Sequence, residues 1–158
     1  MIRIIRGGVM KILLASDHAG FPAKQRLIED IGRLGHQVGD FGTYSEESVD
    51  YVDFGYKAAL AVSRGEYHRG ILICGSGIGM SITANKVKGI RAALACSVEA
   101  ARLSREHNDA NILCMGSRLN QYDDLLEITK VWLETGFAGG RHSRRVEKIK
   151  ELEAMIFK

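Results

Sequence analysis

The stretch ILICGSGIGMS, Ile71 to Ser81, begins as an apolar run, ends that run on Cys74, and then sets glycine at 75, 77 and 79. A short, continuous apolar run bounded by glycines is the pattern of a strand covered on both faces. MSITANK, which follows from Met80, can open a helix. The glycines have two possible causes. One is a tight strand-to-helix turn that needs positive φ and close packing. The other is an anion seated against bare backbone N–H groups at a helix start. Cys74 bears on that choice, because amides and a helix dipole stabilise a thiolate. Otherwise a cysteine at a strand's end is simply a small core residue.

Further strand-like runs stand on either side: KILLAS (11–16), QVGDF (37–41), RAALAC (91–96) and NILCMG (111–116). Helical stripes separate them. Leu27, Ile28, Ile31 and Leu34 mark the first, closed by Gly35; Val52, Tyr56, Ala59, Leu60 and Ser63 mark the second. Leu125, Ile128, Trp132 and Leu133 mark a later helix, and a last one covers about 141–157. Apolar strands alternating with helices predict an α/β, Rossmann-like fold: one domain, doubly wound, with a five-stranded parallel sheet. The order expected is 2-1-3-4-5, with a C-terminal helix. Such sheets bind ligands beyond the carboxyl ends of their strands, where the winding reverses. That rule places the SDHAG loop (16–20) and the CGSGIG loop (74–79) across one crevice.

The loop fails the familiar phosphate signatures. No third glycine or alanine completes a dinucleotide fingerprint, since Met80 and Ile82 occupy those slots, and no Gly-Lys-Ser/Thr follows. A cysteine phosphatase would need arginine where Met80 stands. Asp17 and His18 follow the first strand directly and read either as a helix cap or as acid–base groups. Ala100, Leu103 and His107 share a helical face, so His107 is either a satisfied packing residue or a proton donor suited to neutral pH. Arg141 and Arg145 lie one turn apart, matching a phosphate or a solvated basic face. Arg118 follows the fifth strand at its carboxyl end. His36, His68 and His142 lack ligand spacing, so no metal site is expected.

The totals are those of an ordinary globular chain: 158 residues, 46% hydrophobic, 26% charged, net charge +3. That charge is too small, and too interrupted by Glu147, Glu151 and Glu153, to indicate nucleic acid. No apolar run reaches the length of a membrane span. Met1–Val9 reads as a leader, with Met10 as an alternative start and 10–158 as the domain. Three cysteines, an odd number without a secretion signal, fit a reducing cytoplasm.

SDHAGF, GTYSEESVDY, GILICGSGIGMSITANK, GIRAAL, LSREHNDANIL, GSR and GGRHSRRVEKI occur in this order from about Met10 to Glu153. Together they resemble type B ribose-5-phosphate isomerase, whose wider family includes the galactose-6-phosphate isomerase subunits. The resemblance implies a dimer or pair of dimers with shared sites, a phosphorylated sugar as substrate and no cofactor. It also implies roles. Cys74 would move the proton between C1 and C2; Gly75, Ser76, Gly77, Ile78 and Gly79 would hold the enediolate, with Ser76 bonding the thiolate or an oxygen. His107 would protonate the ring oxygen and Asp17 assist at the anomeric hydroxyl. His18, Arg118, Arg141 and Arg145 would grip the phosphate, Asn108 would meet the sugar oxygens, and Tyr51 would line the pocket. By the same analogy His107 and the arginines come from a neighbouring subunit. The chain departs from the family at DYVDF (50–54), where proline often follows the tyrosine. The alternatives are a hexose 6-phosphate isomerase, a non-catalytic sugar-phosphate-binding module and, as an outsider, a cysteine hydrolase.

Overall fold

The computed structural model describes residues 8–157; of the leader read at Met1–Val9, all but Gly8 and Val9 lies outside the described residues. Eleven elements follow in order among them: β1 Lys11–Ser16, α1 Phe21–Arg33, β2 Gln37–Asp40, α2 Tyr51–Ser63, β3 Arg69–Cys74, α3 Ile78–Ala84, β4 Ala92–Leu94, α4 Val98–Asn108, β5 Ile112–Gly116, α5 Tyr122–Glu134 and α6 Arg141–Ile156. All strand pairs are parallel.

Alternation along the strands builds two cores. Ile12, Leu14, Ile71, Ile73, Leu113 and Met115 face one side, where Leu27 and Ile31 of α1, Ala101 of α4 and Trp132 of α5 cover them. Leu13, Ala15, Leu72, Cys74, Ile112 and Cys114 face the other, beneath Ala58 and Ala59 of α2 and Met80 and Ala84 of α3. This is the two-sided burial that continuous apolar runs demand.

The sheet order is β2-β1-β3-β5-β4, so the expected 2-1-3-4-5 is corrected at its last two strands. Handedness explains the difference. α2 and α3 lie on one face and carry the chain outward from β2 to β3 and on to β4; α1 and α4 lie on the opposite face. A right-handed crossover on that opposite face must run the other way, so α4 returns the chain inward and inserts β5 beside β3. Composition agrees. β5 is buried at all five positions, whereas β4 is three residues at the rim, two half-covered and Leu94 exposed. Asn85 closes that rim: its Oδ1 accepts from Ala92 N, and its Nδ2 donates to Ala92 O, both at 2.9 Å.

The buried Arg69 joins the amino edge of the sheet to α5, donating from Nη1 to the carbonyls of Trp132 (2.8 Å) and Leu133 (3.1 Å) and so satisfying two helix-end acceptors. Nearby, the Nδ1 atoms of His36 and His68 accept from Met10 N (3.2 Å) and Lys11 N (2.8 Å), holding the first amides of β1. Burial first, and the Arg69 charge second, lower the His36 pKa from 6.5. A base with a lowered folded pKa binds fewer protons folded than unfolded. Its contribution is therefore complete above about pH 6.5 and is lost as pH falls toward the folded value. His36→Gln should flatten the acid side of the stability curve, read as the shift in urea midpoint between about pH 7.5 and about pH 5.5. Equal shifts in variant and parent would refute it.

Candidate active site

Because β1 and β3 are paired with Ser16 opposite Ile73, the residues that follow them, Asp17 and Cys74, emerge side by side at the carboxyl edge. The Cys74 side chain is nearly buried, 4% exposed, with Sγ accepting a hydrogen bond from Gly77 N at 3.1 Å. The sulfur thus sits at the top of the apolar layer under a backbone amide. Cys114, one strand over, is fully buried, and burial pushes its thiol far up in pKa. Cys96 is exposed.

Gly77 has φ 78° and caps α3. A Cβ there would lie 2.7 Å from the Leu94 side chain and 2.8 Å from the Met115 carbonyl carbon, so both the left-handed backbone and the crowding require glycine. Gly75 lies under the Arg118 guanidinium, and Gly79 against the Tyr51 ring. The Ser76 hydroxyl accepts from Ile78 N at 3.2 Å, so it shapes the turn and is not bonded to the sulfur. Ser117 then ties the loops together. Its hydroxyl donates to Ala19 O (2.9 Å) and lies 3.3 Å from Cys74 O, while Ser117 N donates to Cys74 O and Arg118 N to Gly75 O. The inward position of β5 makes this contact possible.

Asp17 is 7% exposed, and its Oδ1 accepts from Gly20 N at 3.0 Å, which is the capping role. Oδ2 takes no hydrogen bond from any described residue. His18 Nδ1 accepts from Val49 N at 3.2 Å, leaving Nε2 as the proton-bearing atom of the neutral ring. One edge therefore gathers Asp17, His18, Tyr51, Cys74, Gly75, Ser76, Gly77, Ile78, Gly79 and Arg118.

The remaining expected residues lie elsewhere. α4 runs back across the sheet, so His107 and Asn108 at its end stand at the amino edge, just before β5. At about 3.3 Å per residue, the five residues of β5 alone separate the two edges by roughly 13 Å. Arg141 and Arg145 begin α6, which packs on α4. Between these groups the His107 and His142 rings stack at 4.1 Å and 14°. Desolvation first, and then the charges of His107, Arg141 and Arg145, lower the His142 pKa. His142 and Ser117 were not expected in the site. The GGRHSRR stretch put His142 next to an expected arginine, but spacing along one chain cannot show a ring stacking on another helix. Among the described residues no cluster of three His, Cys, Asp or Glu side chains could hold a metal ion.

Comparison with known proteins decides the lineage. The ribose/galactose isomerase family pattern matches residues 12–149. The chain belongs to that family. It is 49% identical to a putative sugar phosphate isomerase of Bacillus subtilis, YwlF, over 91% of this chain and 97% of that one. It is 44% identical to ribose-5-phosphate isomerase B of Escherichia coli, over 90% and 96%. The structure of Clostridium thermocellum ribose-5-phosphate isomerase B superimposes with a TM-score of 0.91 at 52% identity, covering 93% of this chain and 99% of that one. The Mycoplasma genitalium enzyme with bound ribulose-5-phosphate superimposes at 0.88 with 40% identity, over 91% and 96%. Membership in the ribose/galactose isomerases agrees with the site's place at the turning point of the sheet. No described helix is long and apolar enough to cross a membrane.

Proposed function

We propose that this chain is a cytoplasmic aldose–ketose isomerase that interconverts ribose 5-phosphate and ribulose 5-phosphate in a site completed by a second copy. The observation that carries the chemistry is the Cys74 sulfur under the Gly77 amide, beside Asp17 and at the mouth of a glycine loop. The relatives named ribose-5-phosphate isomerase B support the pentose as substrate.

The residues suit each step. In ring opening, Asp17 takes the proton of the C1 hydroxyl while His107 of a second copy protonates the ring oxygen, and the C1–O bond breaks to an aldehyde. Cys74 as thiolate then removes the C2 proton. The C–H electrons form the C1–C2 double bond, and negative charge collects on O1. Fixed N–H donors of the Gly75–Gly79 loop, other than those of Gly77 and Ile78, which bond the sulfur and Ser76, meet that charge; by analogy with other oxyanion sites each such donor is worth about 3–4 kcal/mol. Protonation neutralises the sulfur as the oxyanion forms, so the two charges never oppose each other fully. Cys74 returns its proton to C1, and transfer of the O2 proton to O1 leaves the ketose. His18, Arg118 and, from the second copy, Arg141 and Arg145 would hold the phosphate, whose binding energy fixes orientation remote from the reacting carbons.

Two features support assembly as a homodimer or homotetramer. The expected residues form two half-sites at opposite edges of one chain. Apolar side chains are also exposed beside both: Ile78 and Ile82 near the glycine loop, and Ile149, Leu152, Met155 and Ile156 along α6. The test is isomerisation of ribose 5-phosphate in deuterium oxide, with hexose 6-phosphates as competitors. Deuterium should enter at C1 or C2 with a preference for the pentose. A higher kcat/KM on galactose or allose 6-phosphate would move the assignment to a hexose, and no exchange on any sugar phosphate would reduce the site to binding.

A further inference from the structure

Lys24 is a charged side chain with no accessible surface, and the chemistry above does not use it. Its ammonium makes a 2.6 Å ion pair with Asp40 at the end of β2 and a 2.9 Å bond to Gln25, with the Phe21 and Tyr44 rings 5.4 and 5.6 Å away. A buried ammonium is tolerated only when paired, and an apolar residue of the same length is often equally stable in such a place. Stability alone therefore does not account for it.

The partners of Asp40 lead to the active edge. Asp40 Oδ1, the atom that receives Lys24, also accepts from Gly42 N at 2.9 Å, and Tyr44 donates from its hydroxyl to Asp40 O at 3.1 Å. Gly42 and Thr43 then bracket Ser16: Ser16 N donates to Gly42 O at 2.7 Å, and Thr43 N donates to Ser16 O at 2.8 Å. Asp17 is the next residue. From the other side, Lys24 N donates to Gly20 O, and Gly20 N is the amide that Asp17 caps. The same loop runs on to Val49, whose amide is bound by His18.

We propose that Lys24, through Asp40, is a positioning residue that clamps the Phe41–Thr43 loop against the end of β1 and so fixes where Asp17 presents its free oxygen. The inference rests on the proposed role of Asp17 in ring opening. A one-ångström drift of an acid–base group costs about a hundredfold in rate when the step depends on alignment. Binding of the remote phosphate tolerates such a drift far better.

The test uses Lys24→Met and Asp40→Asn in the full chain. The expected result is a fall in kcat of about tenfold or more for each, with inhibition by inorganic phosphate changed by less than about threefold. The double variant should be no worse than the poorer single one, because both belong to one clamp. Hydrogen exchange at the Ser16 and Thr43 amides should accelerate about tenfold or more, while the β3 amides keep their protection. A lowered Tm with kcat within about twofold of the parent and unchanged exchange at Ser16 would overturn the proposal. Should Lys24→Met fail to fold, Asp40→Asn decides by the same measures, since Asp40 is partly solvated. If the parent itself turns over no sugar phosphate, the isomerase assignment falls, and the exchange comparison still decides for or against the clamp.

Discussion

Cys74→Ala is expected to lower isomerase turnover by about a thousandfold or more while leaving a folded chain that binds sugar phosphate. A positioned general base is worth about 10²–10⁴ in rate, and alanine offers no atom that can carry the C2 proton. The structural cost is small. The sulfur is the only heavy atom lost, at the boundary of the apolar layer, and removing one such atom costs about 1 kcal/mol. Sulfur is a weak acceptor, so the buried Gly77 amide gives up only a modest bond, which adds about 1 kcal/mol. Thermal unfolding and phosphate inhibition should therefore stay close to the parent, and deuterium exchange at C2 should vanish. Turnover above about a tenth of the parent's would remove Cys74 from the role of base.

Mixing two inactive variants gives the second large effect. If His107 reaches the Cys74 edge of another copy, then Cys74→Ala and His107→Ala each spoil every site of their own homodimer. In a mixed dimer one site carries both lesions and the other carries neither. With free exchange of subunits at equal amounts, half the dimers are mixed, so activity should climb from near zero to about a quarter of the parent's. Sites built within single chains would give no recovery at any ratio. With roughly 13 Å between the two ends of β5, His107 and Cys74 of one chain stand at opposite edges of the sheet, which is why recovery on mixing is the expected result.

Much of this was legible in the residues. Every strand run was found, most plainly β1, β3 and β5, whose middles are continuous apolar runs because both faces are covered, and the switch-point rule correctly brought Asp17 to Cys74. The order of β4 and β5 was not, because composition alone does not say which face a helix covers. Ala101 facing the α1 side fixes the return crossover, and alanine at 101 fits either face. The second helix was only half read: Val52 and Tyr56 are exposed, and its buried face is Gly55, Ala58, Ala59, Ala61 and Val62. Small residues let α2 lie close to the sheet, and a search for large apolar residues overlooks them. Arg118 and Tyr51 do touch the glycine loop, whereas the contacts of Ser117, His142 and Lys24 depend on partners 98, 35 and 16 residues away, beyond any local pattern.

The side-chain amide of Asn85 has a bearing on how copies of the chain can meet. By occupying both hydrogen-bonding groups of Ala92, it denies a foreign strand its first foothold on the sheet's open margin, the place where runaway fibre growth would otherwise begin. If copies do meet, the exposed apolar side chains of α3 and α6, Ile78, Ile82, Leu152 and Ile156 among them, offer contact without adding strands to the sheet.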